Sequence, residues 1–155
     1  MKRHSLLSYT VVFVLVFIAD RITKFFALQL HDSRYDVNPF LSFDLIFNRG
    51  VSWSMLYFHD DARFFLVTGL VMAITCLVTW VAYQRWQAYK VIIGEILVLA
   101  GGISNIIDRF IYRGVIDFIV LSYNDWVFPA FNIADVAIVF GVLCMGVIHF
   151  YESSK

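Results

Sequence analysis

Asp117 stands in an apolar run, Val115-Ile116-Asp117-Phe118-Ile119-Val120-Leu121, with no helix end to cap and no opposite charge beside it. Burial among such neighbours disfavours the ionised form and raises a carboxylate's pKa. A second acid, Asp135, closes the segment Asn132-Ile133-Ala134-Asp135 at the start of another apolar stretch. If the two acids face each other they cannot easily both ionise, and they would share one proton across the physiological range. One carboxylate then activates water while the other, protonated, polarises a carbonyl, as in aspartic proteases. That chemistry calls for no metal, no cofactor and no covalent intermediate. Asn132 and Asp135 also have a structural reading, an N-cap and a capping box with an acid well placed in the first turn. The residues alone leave both readings open.

Other polar residues gather at the ends of apolar stretches. Asp20 and Lys24 are four apart with the acid first, the order that favours a helical ion pair. Pairing is the stronger reading for them, with a role in a site still open. Asp108 near a helix C-terminus opposes the macrodipole and needs a cation, and Arg109 and Arg113 are the nearest in sequence. For Asp108 a structural role outweighs a catalytic one. Gly101-Gly102 permits close helix contact, and Glu95 is expected to reach a polar partner or the interface, with no chemistry assigned.

Other chemistries fare worse. Cys76 and Cys144 lie in apolar runs and read as small buried hydrophobes. His4, His31, His59 and His149 are scattered, with no HExxH and no CxxC, so no metal site is expected. There is no GxSxG. Ser104 with Lys24 as a Ser–Lys dyad is a much weaker reading than the paired acids.

The elements that must position these residues belong to a membrane protein. Of the 155 residues, 61% are hydrophobic, and mean hydropathy is +0.76. Soluble domains average about 45–50% apolar, and one core of this size could not hide the excess. Twelve basic and twelve acidic residues balance, which gives no pull toward nucleic acid. A spanning helix needs about 20 apolar residues, and four stretches qualify: 7–30, 64–83, 91–107 and 132–151. The opening Met-Lys-Arg-His and its apolar run could be a cleaved signal peptide, but no small-x-small site follows and the apolar pattern resumes beyond the charges. Lys2, Arg3, Arg85, Lys90 and Lys155 then fall on one side, which puts both termini in the cytoplasm. Arginines in the two outer segments weaken that count. Apolar residues alternate at Leu41, Phe43, Leu45 and Phe47 and again at Val51, Trp53 and Met55, around Asn48-Arg49-Gly50. This predicts a hairpin with one apolar face, lying on the membrane surface or the helix bundle. No repeat or linker divides the chain, so residues 1–155 are expected to form one domain.

Four motifs in order resemble the signal peptidase II family of bacterial membrane aspartyl proteases, the lipoprotein signal peptidases. They are Asp20-Arg21-Ile22-Thr23-Lys24, and Asn48-Arg49-Gly50-Val51-Ser52-Trp53, and Gly101-Gly102 through Asn105-Ile106-Ile107-Asp108-Arg109 to Val115-Ile116-Asp117-Phe118, and Phe128-Pro129-Ala130-Phe131-Asn132-Ile133-Ala134-Asp135. The resemblance covers nearly the whole chain. It implies an all-α membrane protein with four transmembrane helices and an extracytoplasmic β-hairpin or half-barrel that cradles substrate. It implies cleavage of diacylglyceryl-modified prolipoproteins just before the lipidated cysteine. It implies Asp117 and Asp135 as catalytic dyad, and Asp20, Lys24, Asn48, Gly50, Asn105, Asp108, Arg109, Asn132 and Ala134 as residues that shape the site and hold substrate. Its partners would be those prolipoproteins and the lipid bilayer, with a monomer sufficient and the site at the outer membrane face. Val51-Ser52-Trp53 departs from the family's usual Ala-Ala-Phe and bears on the shape of the pocket. From a different functional class, the polar cluster could be a proton path or a bundle clamp in a small non-enzymatic adaptor.

Overall fold

The computed structural model describes residues 6–30, 34–50, 61–124 and 126–154. The four apolar stretches become helices: α1 (Leu6–Ala27), α2 (Asp61–Gln87), α3 (Ile93–Tyr112) and α4 (Ile133–Ser153). A 3-10 turn, Leu28–Leu30, continues α1. Four spans are expected from the sequence; α2 and α4 are long and apolar enough to cross a bilayer, whereas α1 and α3 carry buried ionisable side chains. Large apolar residues point outward, among them Leu66, Leu77 and Trp80 on α2 and Phe140, Val147 and Phe150 on α4. Lipid, not water, is the solvent such a surface fits.

Helix α3 is the hub and touches each of the other three helices. Glycines let it approach α4. A Cβ on Gly94 would lie 2.7 Å from the Gly141 carbonyl oxygen, and one on Gly101 would collide with the Ala134 carbonyl oxygen. Gly102 faces α2 instead, where Thr75 Oγ1 would be 3.3 Å from an added Cβ. At the far end of the bundle Glu95 finds its partner in Arg85, at 2.7 Å, and Arg85 and Lys90 both reach Glu152. Cys76 is exposed and Cys144 half-exposed, which corrects the expectation of burial. Both lie on helices with apolar outer faces, so an apolar sequence context does not distinguish core from lipid.

The β structure exceeds the expected hairpin. Strands β1 (Tyr35–Asn38), β2 (Leu41–Asn48), β3 (Val115–Tyr123) and β4 (Trp126–Val127) form one antiparallel sheet in that order. The alternating segment 41–47 is indeed a strand, while Val51, Trp53 and Met55 lie outside the described residues. The neighbours of β2 are β1 and β3. Strand β3 was not anticipated, although its Val, Ile and Phe residues favour extended structure. An apolar run without alternation signals a strand buried on both faces, and Val115 through Phe118 are all buried. Ile116 and Phe118 pack with Ala27 of α1. Val115 and Asp117, on the opposite face of the strand, line a pocket against the helices.

Candidate active site

Asp117 is held by side-chain amides. Asn132 Nδ2 donates to its Oδ1 at 2.6 Å and Asn48 Nδ2 to its Oδ2 at 2.9 Å. Asn48 is the last residue of β2, so the sheet brings one donor and the helix cap the other. Asp135 is treated alike. Asn105 Nδ2 donates to Oδ1 at 2.9 Å, and the Asn132 backbone N–H to Oδ2 at 3.3 Å. The Asp135 N–H donates to Asn132 Oδ1 at 2.9 Å, which completes the capping box. Capping and pocket-lining are therefore not alternatives. Asn132 contacts both acids at once.

Both carboxylates line one pocket of about 220 Å³, together with Asn48, Gly50, Asn105 and Arg109. Burial pushes Asp117 up from the usual carboxylate range to about 7, and the neighbouring Asp135 charge adds to the rise. The hydrogen bonds from Asn48 and Asn132 and the Lys24 charge pull the other way.

Behind the pocket lies a closed charge cluster. Lys24 Nζ is 2.7 Å from Asp20 Oδ2 and 2.7 Å from Asp108 Oδ2, and donates to Asn105 Oδ1 at 2.7 Å. All three donor positions of the ammonium are used. The i,i+4 pair expected of Asp20 and Lys24 thus forms, within a larger network. Asp20 also accepts from Ser104 Oγ at 2.6 Å and from the Ala134 N–H at 2.8 Å. The latter satisfies an otherwise orphaned amide at the start of α4 and ties α1 to α4.

The cation for Asp108 is not Arg109 or Arg113. Arg21 Nη1 pairs with its Oδ1 at 2.5 Å and Lys24 with its Oδ2, and the Ile116 N–H donates to it at 3.3 Å. Successive helical residues point about 100° apart, so Arg109 turns away from Asp108 and donates from Nη2 to the Gly50 carbonyl at 2.6 Å. Its Nε and Nη1 are buried without a hydrogen-bond partner among the described residues. Arg113 caps α3 in a left-handed conformation, φ 54°, and reaches Asp61.

Every anticipated site residue joins this one network or its pocket, and so do Arg21, given no role from the sequence, and Ser104, weighed there only as a nucleophile. Ser104 belongs to a stripe of α3, Gly101-Ser104-Asn105-Asp108, with the i, i+3, i+4, i+7 spacing of one helix face. That spacing was the available signal.

A sequence profile of the family described as Signal peptidase (SPase) II matches residues 12–151. The chain belongs to this family. Lipoprotein signal peptidases similar to it include that of Polynucleobacter necessarius subsp. necessarius, 35% identical over 91% of this chain and 88% of the relative. That of Clostridium tetani is 32% identical over 87% of each chain. A solved structure described as a bacterial membrane enzyme superposes with a TM-score of 0.79 at 24% identity, over 99% of this chain and 93% of that one. A second, also described as a bacterial membrane enzyme, has a TM-score of 0.73 at 25% identity over 94% of each. Membership in signal peptidase II makes the chain a membrane peptidase. A Ser–Lys mechanism does not suit this arrangement. Ser104 is fully buried with its hydroxyl hydrogen on Asp20, and Lys24 is surrounded by Asp20, Asp108 and Asn105.

Proposed function

We propose that the chain is an aspartyl endopeptidase that removes the signal peptide from diacylglyceryl-modified prolipoproteins, cutting before the lipidated cysteine. The observation that carries this reading is that Asn132 holds both Asp117 and Asp135 on the wall of one pocket. The two acids share a single proton. The ionised member takes a proton from the attacking water, and the protonated member donates to the scissile carbonyl oxygen. Asn48, Asn105 and Asn132 donate N–H to either charge state without supplying a counter-ion that would hold both acids ionised. Arg109, with buried donors left over, is placed to meet substrate carbonyls. No cofactor enters this scheme.

On this reading all four helices cross the bacterial cytoplasmic membrane and the chain works as a single domain and a monomer. Both termini lie in the cytoplasm, with the site at the outer face. The placement of Arg85 and Lys90 at the bundle end away from the pocket supports that orientation. A substrate with a signal helix and two acyl chains keeps its scissile bond at the interface, where the dyad would meet it without extraction.

The test is cleavage of a diacylglyceryl-modified precursor by the purified full chain in detergent. Asp117→Asn and Asp135→Asn should each abolish release of the signal peptide while the protein stays folded. Undiminished cleavage by either folded variant defeats the dyad, whereas a folded wild-type chain that releases no signal peptide leaves the non-enzymatic adaptor as the better account.

A further inference from the structure

Between Asn48, which binds Asp117, and Gly50, which Arg109 holds, sits Arg49. Its side chain leaves the pocket. Nη2 lies 2.5 Å from Asp61 Oδ1, and the guanidinium stands 5.3 Å from the centre of the Phe64 ring. Asp61 opens α2 and also pairs with Arg113, the cap of α3, at 3.4 Å. One carboxylate therefore joins the end of β2 to the ends of α2 and α3, directly outside the pocket. Phe64, nearly fully buried, lies against both Arg49 and Arg109.

Nothing in the pocket itself requires this clasp, and an exposed ion pair adds little to stability. The chain neighbour of Arg49, Asn48, is the residue that reaches the pocket. Asn48 is the last residue of its strand, and its side chain both accepts the Gly50 N–H at 2.9 Å and donates to Asp117. Any shift of Arg49 moves both bonds.

We infer that Arg49 and Asp61 are positioning residues, an ion-pair clasp that seats the Asn48 amide on Asp117 and so sets the geometry and the proton affinity of the dyad. The inference rests on the proposed role of Asp117. The charged groups that act on Asp117 are Asp135 from α4, Lys24 from α1 and Arg109 from α3. None of them is part of the clasp. Asn48 stabilises the ionised form of Asp117, so a loosened Asn48 raises the pKa and moves the alkaline limb of activity to higher pH.

The experiment measures kcat, KM and the pH profile for a diacylglyceryl-modified precursor, using the full chain in detergent. Arg49→Gln and Asp61→Asn should each lower kcat by about fivefold, with KM little changed. Each should move the alkaline limb upward, and the double variant should be no worse than either single. Asp61→Glu should restore most of the loss, and Arg113→Gln, at the longer and more exposed contact, should behave nearly as wild type. Unchanged kcat and pH profile in the single variants overturn the inference. So does a loss that merely follows the folded fraction with an unmoved profile, or losses that add in the double variant. Asp117→Asn runs alongside: if it cleaves normally the dyad fails, and if it is inactive while the clasp variants are normal, only the clasp fails.

Discussion

Asp108 and Asp117 are equally buried, 0% and 2% exposed, and they are treated in opposite ways. Asp108 is neutralised by two cations, Arg21 and Lys24, and by a backbone amide. Asp20 likewise meets Lys24, Ser104 and the Ala134 amide. These acids sit in the closed cluster and do not line the pocket. Asp117 and Asp135 receive only amide donors and face the pocket. Burial against cations makes a carboxylate a structural joint between helices. Burial with neutral donors leaves its charge negotiable, as acid–base chemistry requires. Asn105 and Asn132 form the boundary between the regions. Asn105 accepts from Lys24 on one side and donates to Asp135 on the other.

The same Asp→Asn exchange in the two regions is the strongest way to break this contrast. In the pocket, Asp117→Asn or Asp135→Asn should lower precursor cleavage by about a hundred- to ten-thousand-fold, the usual worth of a general acid or base. Neither variant should be less stable than wild type, as read from denaturation in detergent. In the closed cluster, Asp108→Asn strands Lys24 and Arg21 against too little negative charge and should destabilise the fold by about 3–5 kcal/mol. An Asp108→Asn protein as stable as wild type would erase the distinction.

The Asp117 proton should also give stability a pH dependence. Asp117 holds its proton more tightly in the fold than in the unfolded chain. Its contribution is therefore complete below about pH 4 and is lost as pH rises through about 7. Asp117→Asn removes that loss. The variant should gain on wild type across this window, with a ceiling of about 4 kcal/mol at about 1.36 kcal/mol per pKa unit. Parallel stability curves for the two proteins would contradict the assignment.

Two smaller effects sharpen the boundary between the regions. Gly101→Ala must push α4 from α3 at Ala134 and should cost about 1–3 kcal/mol. It should also lower activity by parting Asn105 from Asp135, and wild-type thermal stability would show that the contact relaxes. Asn48→Ala removes one neutral donor and should lower cleavage by about tenfold, the worth of one hydrogen bond to a charged group. Its alkaline limb should move upward, and an unmoved limb would mean that Asn48 does not govern the Asp117 proton.

Much of this site was legible in the residues. Asp117 had no bland explanation, Asp20 and Lys24 had helical pair spacing, and Asn132 with Asp135 had the form of a cap. Those signals survive because they are local, set by the helical repeat and by helix ends. The partners of Asp108 were not legible: Arg109 and Arg113 are adjacent in sequence, whereas the actual cations come from α1. Strand β3 was hidden because burial on both faces removes the alternation that marks a strand. The count of spanning helices remained an expectation from apolar length; among the described residues, α2 and α4 are the helices long and apolar enough to cross a bilayer.

The amino-acid order alone established an apolar chain with long helices, a set of acids too costly to bury without purpose, and the motifs of a membrane peptidase. It could not say which acids would be paired with cations and which with amides. That division depends on contacts between residues far apart in the chain, such as Lys24 with Asn105 and Asn48 with Asp117. It arises only when α3 and α4 close through their glycines and β2 pairs with β3, because side-chain charge states follow the neighbours that packing supplies.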